Sequence, residues 1–430
     1  MNARRRRLAA VGGGSGTQRA HRPDYTLVML VGLLMLLGMI MMYALGPQRA
    51  QVLNALTGSQ FSETYFVVKQ AFSLGMALVV FIILAVLPLA LIKQHAGKLL
   101  LLGLGVSGAL FLFGNLLHVD SIATPTLGAY RWFNLGPFAS FQPAELLKFG
   151  VLIFLARFLA TQMKKGLVND WEETLIPALL ISGVALFIIV IVQKDLGTGL
   201  SLTAILISIF MVAGLRARVG AMLLAGLMLL GAVAIISAPH RVARMATFLQ
   251  GDSATSDAPG NYHIHHAKIA IGSGGLLGVG IGNSVQATGY LPEAINDSVF
   301  AIMGETFGFV GLMAVLALFT LLLLRLLKIT DRLKDEWMRL LVAGVFGWLA
   351  AHTILNIASM IGLAPLTGIT LPLLSYGGTS MVFIAAGLGM AFQASRYTVH
   401  ESVIRKDAYA NLDRGRRLGR ARHSSSRRTA

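Results

Sequence analysis

Cysteine is absent from the 430-residue chain, which excludes disulfides and thiolate metal sites and leaves the redox compartment unread. Charge is scarce too. Asp, Glu, Lys and Arg make up 13% of the residues, against 55% hydrophobic, and mean hydropathy is +0.71. Two 20-residue segments, Thr174–Gln193 and Leu196–Leu215, carry no formal charge at all. Runs of that length cross a bilayer, and lipid gives the backbone no hydrogen-bond partner, so they are helices. No Gly-Lys-Ser/Thr and no parallel-strand unit accompanies the glycine-rich GSGGLLGVGIGNS at 272–284, which excludes a nucleotide or dinucleotide loop. That stretch is either a tightly turning loop or bare backbone approaching a diphosphate. No Asp-x-Asp pair is present to hold the metal of a nucleotide-sugar donor. HIHH at 263–266 sets His263 and His266 three apart but has no third ligand at metal-binding spacing, so no metal site is expected.

What charge there is gathers in a few places. The formal excess of +17 lies mostly in two tails: six Arg against one Asp at 1–24, and ten Lys or Arg against three acids at 396–430. With no aromatic residues interleaved, these tails suit anionic lipid headgroups and not nucleic acid. The expected organisation is a basic disordered tail at 1–24, a transmembrane domain at 25–395 and a second basic tail at 396–430. The first span is expected to remain as an uncleaved anchor.

The fold class expected is an all-α polytopic membrane protein of about ten spans. They fall near 25–46, 67–90, 99–118, 144–162, 174–193, 196–215, 219–238, 298–324, 338–362 and 367–395. Leu340–Ser395 holds no formal charge, and GLAPLTGITLPLLSYGG within it supplies the Pro and Gly for a turn and a broken helix. Lys93 and Lys98, Lys164 and Lys165, Arg216 and Arg218, and Arg325 through Lys334 fall in alternate loops, on the side of both tails. Those loops are therefore cytoplasmic, and the longest loop, about 239–297, is external. Within it RVARMATFLQ (241–250) is spaced as a short interfacial amphipathic helix.

Three polar clusters lie at the outer face. YLPEAINDSVFAIMGETFGFVG (290–311) starts as a loop and ends as a span, with Glu293 and Asp297 on its threshold and Glu305 inside. YRWFNLGPFASFQPAELLKFG (130–150) puts Arg131 outside and Glu145 and Lys148 just within the fourth span, three residues apart and able to pair. QKDLGTG (193–199) is a hairpin whose Asp195 can cap the next helix. Glu145, Lys148, Arg157 and Glu305 are the charges expected deep in the membrane.

These stretches, with GIGNSVQATGYLPEAINDSVFAIMGE and TGITLPLLSYGGTS, resemble in order the signatures of the SEDS family (shape, elongation, division and sporulation). The ten-span layout matches as well. GNSVQ, YLPEA and TGITLP resemble the division branch, FtsW, more than the elongation branch, RodA. The resemblance implies a peptidoglycan glycosyltransferase that polymerises lipid II at the outer face of the bacterial cytoplasmic membrane during division. A class B penicillin-binding protein and other division proteins would be partners; no cofactor is evident, and the sequence leaves a divalent cation open. The family's catalytic carboxylate falls on Asp297, its intramembrane ion pair on Glu145 and Lys148, and its outer basic positions on Lys69 and Arg131. Lys148, Asn283, Ser375 and Tyr376 are further expected substrate contacts, and Asp195 and Glu305 orienting groups. The chain departs from the family's His-Thr-Asp at Ile295-Asn296-Asp297. It also has His263 and His266 where the family has Gln, Lys194 where it has Pro, and Thr306 where it has Glu.

The chemistry stands without the family. Joining two lipid-linked sugars needs a base for an acceptor hydroxyl and positive charge beside a departing diphosphate. A carboxylate at a water–lipid boundary suits the first task; the alternative for Asp297 is to cap the eighth span. Two other classes fit the same composition, a lipid II flippase and a non-catalytic division scaffold. A flippase, however, needs polar groups along the whole membrane depth.

Overall fold

The computed structural model describes residues 21–126, 129–136, 140–236 and 259–399, with positions 242, 245, 246 and 248. Most of both tails, and the expected interfacial helix at 241–250 apart from those four positions, lie outside the described residues. Each expected span is occupied by a helix. They are α1 Tyr25–Thr57, α2 Tyr65–Val86, α3 Ala96–Leu116, α4 Pro143–Lys165, α5 Trp171–Val192, α6 Leu196–Ala213 and α7 Ala217–Ile236. Then come α8, Pro259–Ser273, followed by α9 Val299–Arg332, α10 Glu336–Met360 and α11 Gly378–Ala394. The protein is an all-α polytopic membrane protein.

Local chemistry sets the helix ends. Asp24, Asp170, Asp195 and Asp335 each accept a main-chain N–H in the first turn of the helix that follows, satisfying donors the helix leaves open. Gly58, Gly166 and Gly214 close α1, α4 and α6 in the left-handed region.

Two boundaries differ from expectation. The tenth span starts at Gly378 and not at 367, because Ile369 to Ser375 run as irregular, mostly buried backbone. A bilayer tolerates such a stretch only when protein covers it. Arg157, expected deep in the membrane, donates instead to the carbonyls of Lys93 and Gln94, at 2.9 and 3.0 Å, at the C-terminus of the short helix Leu89–Gln94 that connects α2 to α3 at the basic end.

The most buried helices are α4, α10 and α11, and α2, α3 and α9 are among the less covered. Gly103 and Gly150 let α3 and α4 approach closely: a Cβ at Gly103 would stand 2.7 Å from Leu147 Cα.

At one end of the bundle the described termini meet. His21 N donates to Arg396 O (2.9 Å), Asp24 N to Ser395 Oγ (2.9 Å), and Arg325 Nε to Asp24 (2.5 Å). The basic loops lie at this end. At the other end a three-stranded antiparallel sheet, which the sequence did not announce, forms from β1 Ala123–Thr126, β2 Ala129–Asn134 and β3 Ser140–Phe141. Its register shifts between Thr124 and Pro125, where proline has no N–H to give the ladder.

Candidate active site

The loop before α9 is built on a strained turn. Glu293 is left-handed (φ 49°), and its carbonyl accepts from Asn296 N at 2.9 Å and Ser298 N at 3.3 Å. Ser298, not Asp297, is the N-cap residue of α9. Its hydroxyl donates to Pro292 O (2.8 Å), which leaves the oxygen to accept from His263 Nε2 (2.6 Å). Asn296 spends its amide on the Glu293 carboxylate, which Arg49 also approaches at 3.6 Å. Asp297 is half-buried at the head of this turn.

The loop is tied to the irregular segment before α11. Tyr376 N donates to Ile295 O (2.8 Å), and Asn356 of α10 donates both its amide protons outward, to Asp297 O (2.7 Å) and Ile369 O (2.8 Å). Leu373 is left-handed in that segment, and so is Lys194 in the hairpin beside it. All four described non-glycine residues with positive φ, His118 before β1 included, thus lie in the loops of this end, where strain is commonly held in place by a functional site.

Glu305 is buried (2% exposed) in the first half of α9. It accepts from Ser284 Oγ (2.5 Å), Val285 N (3.0 Å) and Gln286 N (3.2 Å), so one carboxylate holds the whole 284–286 turn. Three residues on, Gly308 breaks α9 (φ 66°, ψ −167°). The glycine-rich loop fills the break: Val279 N and Gly280 N donate to the carbonyls of Glu305 and Thr306. Phe309 N and Val310 N in turn donate to Gly275 O and Leu276 O. The bare backbone of Gly278 faces another backbone here, since a Cβ on it would fall 2.2 Å from Thr306 O.

The ion pair lies elsewhere, between α4, α6 and α10. Lys148 Nζ donates to Glu145 Oε1 at 2.8 Å and to Ser201 Oγ at 3.0 Å, with 0% and 2% of the two charged side chains exposed. Lys148 also sits 4.3 Å from the centroid of the Trp348 ring. Asp195 caps α6 through Thr198 N (2.9 Å) and accepts from Gln142 Nε2 (2.7 Å) just above the pair.

The other expected site residues divide. Lys69 stands one turn into α2 with its Nζ 5.0 Å from the Tyr65 ring centroid, and Tyr376 lies beside it. Arg131 is directed at main chain: Nε to Gln193 O (3.2 Å) and an Nη to Lys194 O (2.9 Å). Ser375 is buried and its hydroxyl accepts from Leu371 N (2.9 Å). Asn283 is exposed, donates to Val279 O (3.0 Å), and belongs to the glycine-loop layer. His266 donates to Gln286 Oε1 (2.7 Å), and among the described residues no three His, Asp or Glu side chains gather as a metal set. The structure therefore brings Asp297, Lys69 and Tyr376 to one end and Glu145, Lys148 and Asp195 together below it. Sequence reasoning passed over Gln142, Ser284, Trp348, His352 and Asn356. The signal for the last three was available: they recur every fourth residue in the charge-free stretch that begins at Leu340.

The model of the FtsW, RodA and SpoVE family, described as cell cycle protein, matches residues 24–400. The chain belongs to this family, the SEDS family its motifs resemble. It is 31% identical over 386 residues to stage V sporulation protein E of Bacillus subtilis, covering 89% of this chain and 99% of that protein. It is 32% identical to the protein named "Probable peptidoglycan glycosyltransferase FtsW" of Nitrosomonas europaea, covering 84% and 89%. Among solved structures it is similar to RodA of Thermus thermophilus (26% identity, TM-score 0.60, covering 88% of this chain and 98% of that one). A chain in a structure titled for "polymerization and crosslinking by a peptidoglycan synthase complex" gives TM-score 0.66 at 25% identity, covering 87% and 98%.

Proposed function

We propose that the chain is a peptidoglycan glycosyltransferase that polymerises lipid II at the outer face of the cytoplasmic membrane, with Asp297 as general base. One observation carries this reading. The Asp297 loop, the buried 369–376 segment and Lys69 meet at the end of the bundle opposite the termini, so a carboxylate and a cation share one membrane boundary.

Both substrates are amphiphiles, sugar in water and tail in lipid, and the reacting bond lies between. Asp297 takes the proton of the acceptor hydroxyl. The freed oxygen attacks the anomeric carbon of the donor, and the bond to the lipid diphosphate breaks with its electron pair leaving on the phosphate. Positive charge beside that phosphate stabilises the departing group, and in this reading Lys69 supplies it. Arg131, held on two carbonyls, fixes the hairpin carrying Asp195. Relatives named FtsW support a role in division, and the similarity to a chain of a peptidoglycan synthase complex supports a crosslinking partner of the class B penicillin-binding kind. The flippase alternative loses support with Arg157, which leaves Glu145, Lys148 and Glu305 as the buried charged side chains of the described residues, all in the half of the bundle toward Asp297.

Asp297→Asn keeps size and abolishes the base, which typically costs about 10²–10⁴ in rate. Purified wild type, Asp297→Asn and Glu293→Gln are compared for thermal stability and for glycan chains formed from lipid II. The expected result is loss in Asp297→Asn and near-wild-type activity in Glu293→Gln. Full polymerisation by a well-folded Asp297→Asn protein overturns the assignment. Lipid II translocation in vesicles by a wild type that makes no polymer replaces it with the flippase.

A further inference from the structure

Trp348, His352 and Asn356 recur at four-residue spacing and so share one face of α10. All three are buried, at 1%, 4% and 0% exposure. Together they form a continuous polar ladder. The Trp348 ring receives the Lys148 ammonium at 4.3 Å, Trp348 Nε1 donates to His352 Nε2 (3.2 Å), and His352 Nδ1 donates to Thr370 O (3.3 Å). This pattern assigns the neutral Nδ1–H tautomer from the hydrogen bonds around the ring. One turn further on, Asn356 reaches Ile369 O, next to Thr370, and Asp297 O, 59 residues away in sequence.

Buried main-chain carbonyls outside a helix need donors, and a carboxamide with two N–H groups is the compact way to serve two at once. Of these two, one belongs to Asp297 itself. Its carbonyl and its side chain leave the same Cα, so whatever fixes the first limits where the second stands. The rest of the loop turns on a strained Glu293, which by itself favours other conformations.

We propose that Asn356 is a positioning residue for the reaction: its amide holds the main chain of Asp297 against the 369–376 segment and so fixes the carboxylate at the membrane boundary. Trp348 and His352 extend the same hold to the buried Glu145–Lys148 pair, which ties the ion pair to the reacting loop without touching substrate. The inference rests on Asp297 being the general base.

The test uses the full chain in lipid nanodiscs with lipid II. Because the native chain has no cysteine, a spin label at Glu293→Cys reports the loop alone. Asn356→Ala is expected to lower kcat about 10- to 100-fold, as a misplacement of about 1 Å does. KM for lipid II should stay within about three-fold, and the label should gain mobility. If Asn356→Ala is not recovered folded, Asn356→Ser, which keeps one donor, is read in the same way with smaller changes. A wild-type label spectrum in the Asn356 variant overturns the positioning role, and so does a change confined to KM. Full activity of Asp297→Asn overturns the base assignment alone, while the label still decides whether Asn356 holds the loop.

Discussion

Lys148 and Glu145 lie 2.8 Å apart, Nζ to Oε1, where neither is reached by solvent, and Ser201 and the Trp348 ring complete the surroundings of the ammonium. Removing one member of a buried pair strands the other charge at a cost of about 3–5 kcal/mol. Glu145→Gln should therefore lower thermal stability and polymerisation more than Glu145→Gln combined with Lys148→Met. Equal damage in both, measured in parallel on purified protein, would show that Lys148 contacts the diphosphate directly.

Gly308 should tolerate no side chain. Its φ of 66° alone costs another residue about 1–3 kcal/mol, and a Cβ would stand 2.4 Å from Gly278 N. Gly308→Ala is expected to lower the melting temperature sharply. Gly105→Ala, in α3 with no atom within 4 Å of the added carbon, should leave it unchanged.

Glu305 organises a turn by accepting only. Glu305→Gln turns one acceptor into an NH₂ that faces either the Ser284 hydroxyl and Gln286 N–H or the Val285 and Gln286 N–H groups, a mismatch of about 1–3 kcal/mol. Faster amide exchange at residues 284–287, with exchange in α4 unchanged, is the expected signature. Unaltered exchange at 284–287 would assign the hold on this turn elsewhere.

Orientation is open to direct chemistry. Thr288 is exposed at the loop end and Lys164 at the basic end. With the basic loops cytoplasmic, Thr288→Cys should react with an impermeant maleimide in intact cells and Lys164→Cys only after permeabilisation. The reverse pattern would invert the protein in the membrane and remove the outer-face reaction with it.

The spans were legible because charge-free runs of about 20 residues have one physical solution in lipid. The threshold position of Asp297 was legible for a related reason, since hydropathy changes sharply at Ser298. Pairings between distant backbones were not. Nothing local to GSGGLLGVGIGNS says that its glycines plug a break at Gly308, and nothing local to 367–377 says that protein will cover it, so the last helix was started too early. Arg157 was placed in the membrane by its neighbours' hydropathy, although a long side chain in the second half of a helix reaches the end carbonyls of a short helix packed beside it. Asn356 was overlooked because it carries no charge. Inside a membrane protein an uncharged amide is as informative as an ion, since it must have partners to be there.

The joined ends have a consequence for the gene as well as the protein. His21 and Thr398 share hydrogen bonds of 2.7 and 3.0 Å, and Val399 N continues onto Arg332 O. The transmembrane core is thus nearly a closed ring of crossings. A short peptide could splice residue 399 to residue 21, and the chain could be reopened at Gly166, in a turn of the same end. Such a circular permutant keeps an even number of crossings and returns both new termini to the compartment of the old ones. The order in which the spans are synthesised then becomes a free variable, separable from the structure they reach.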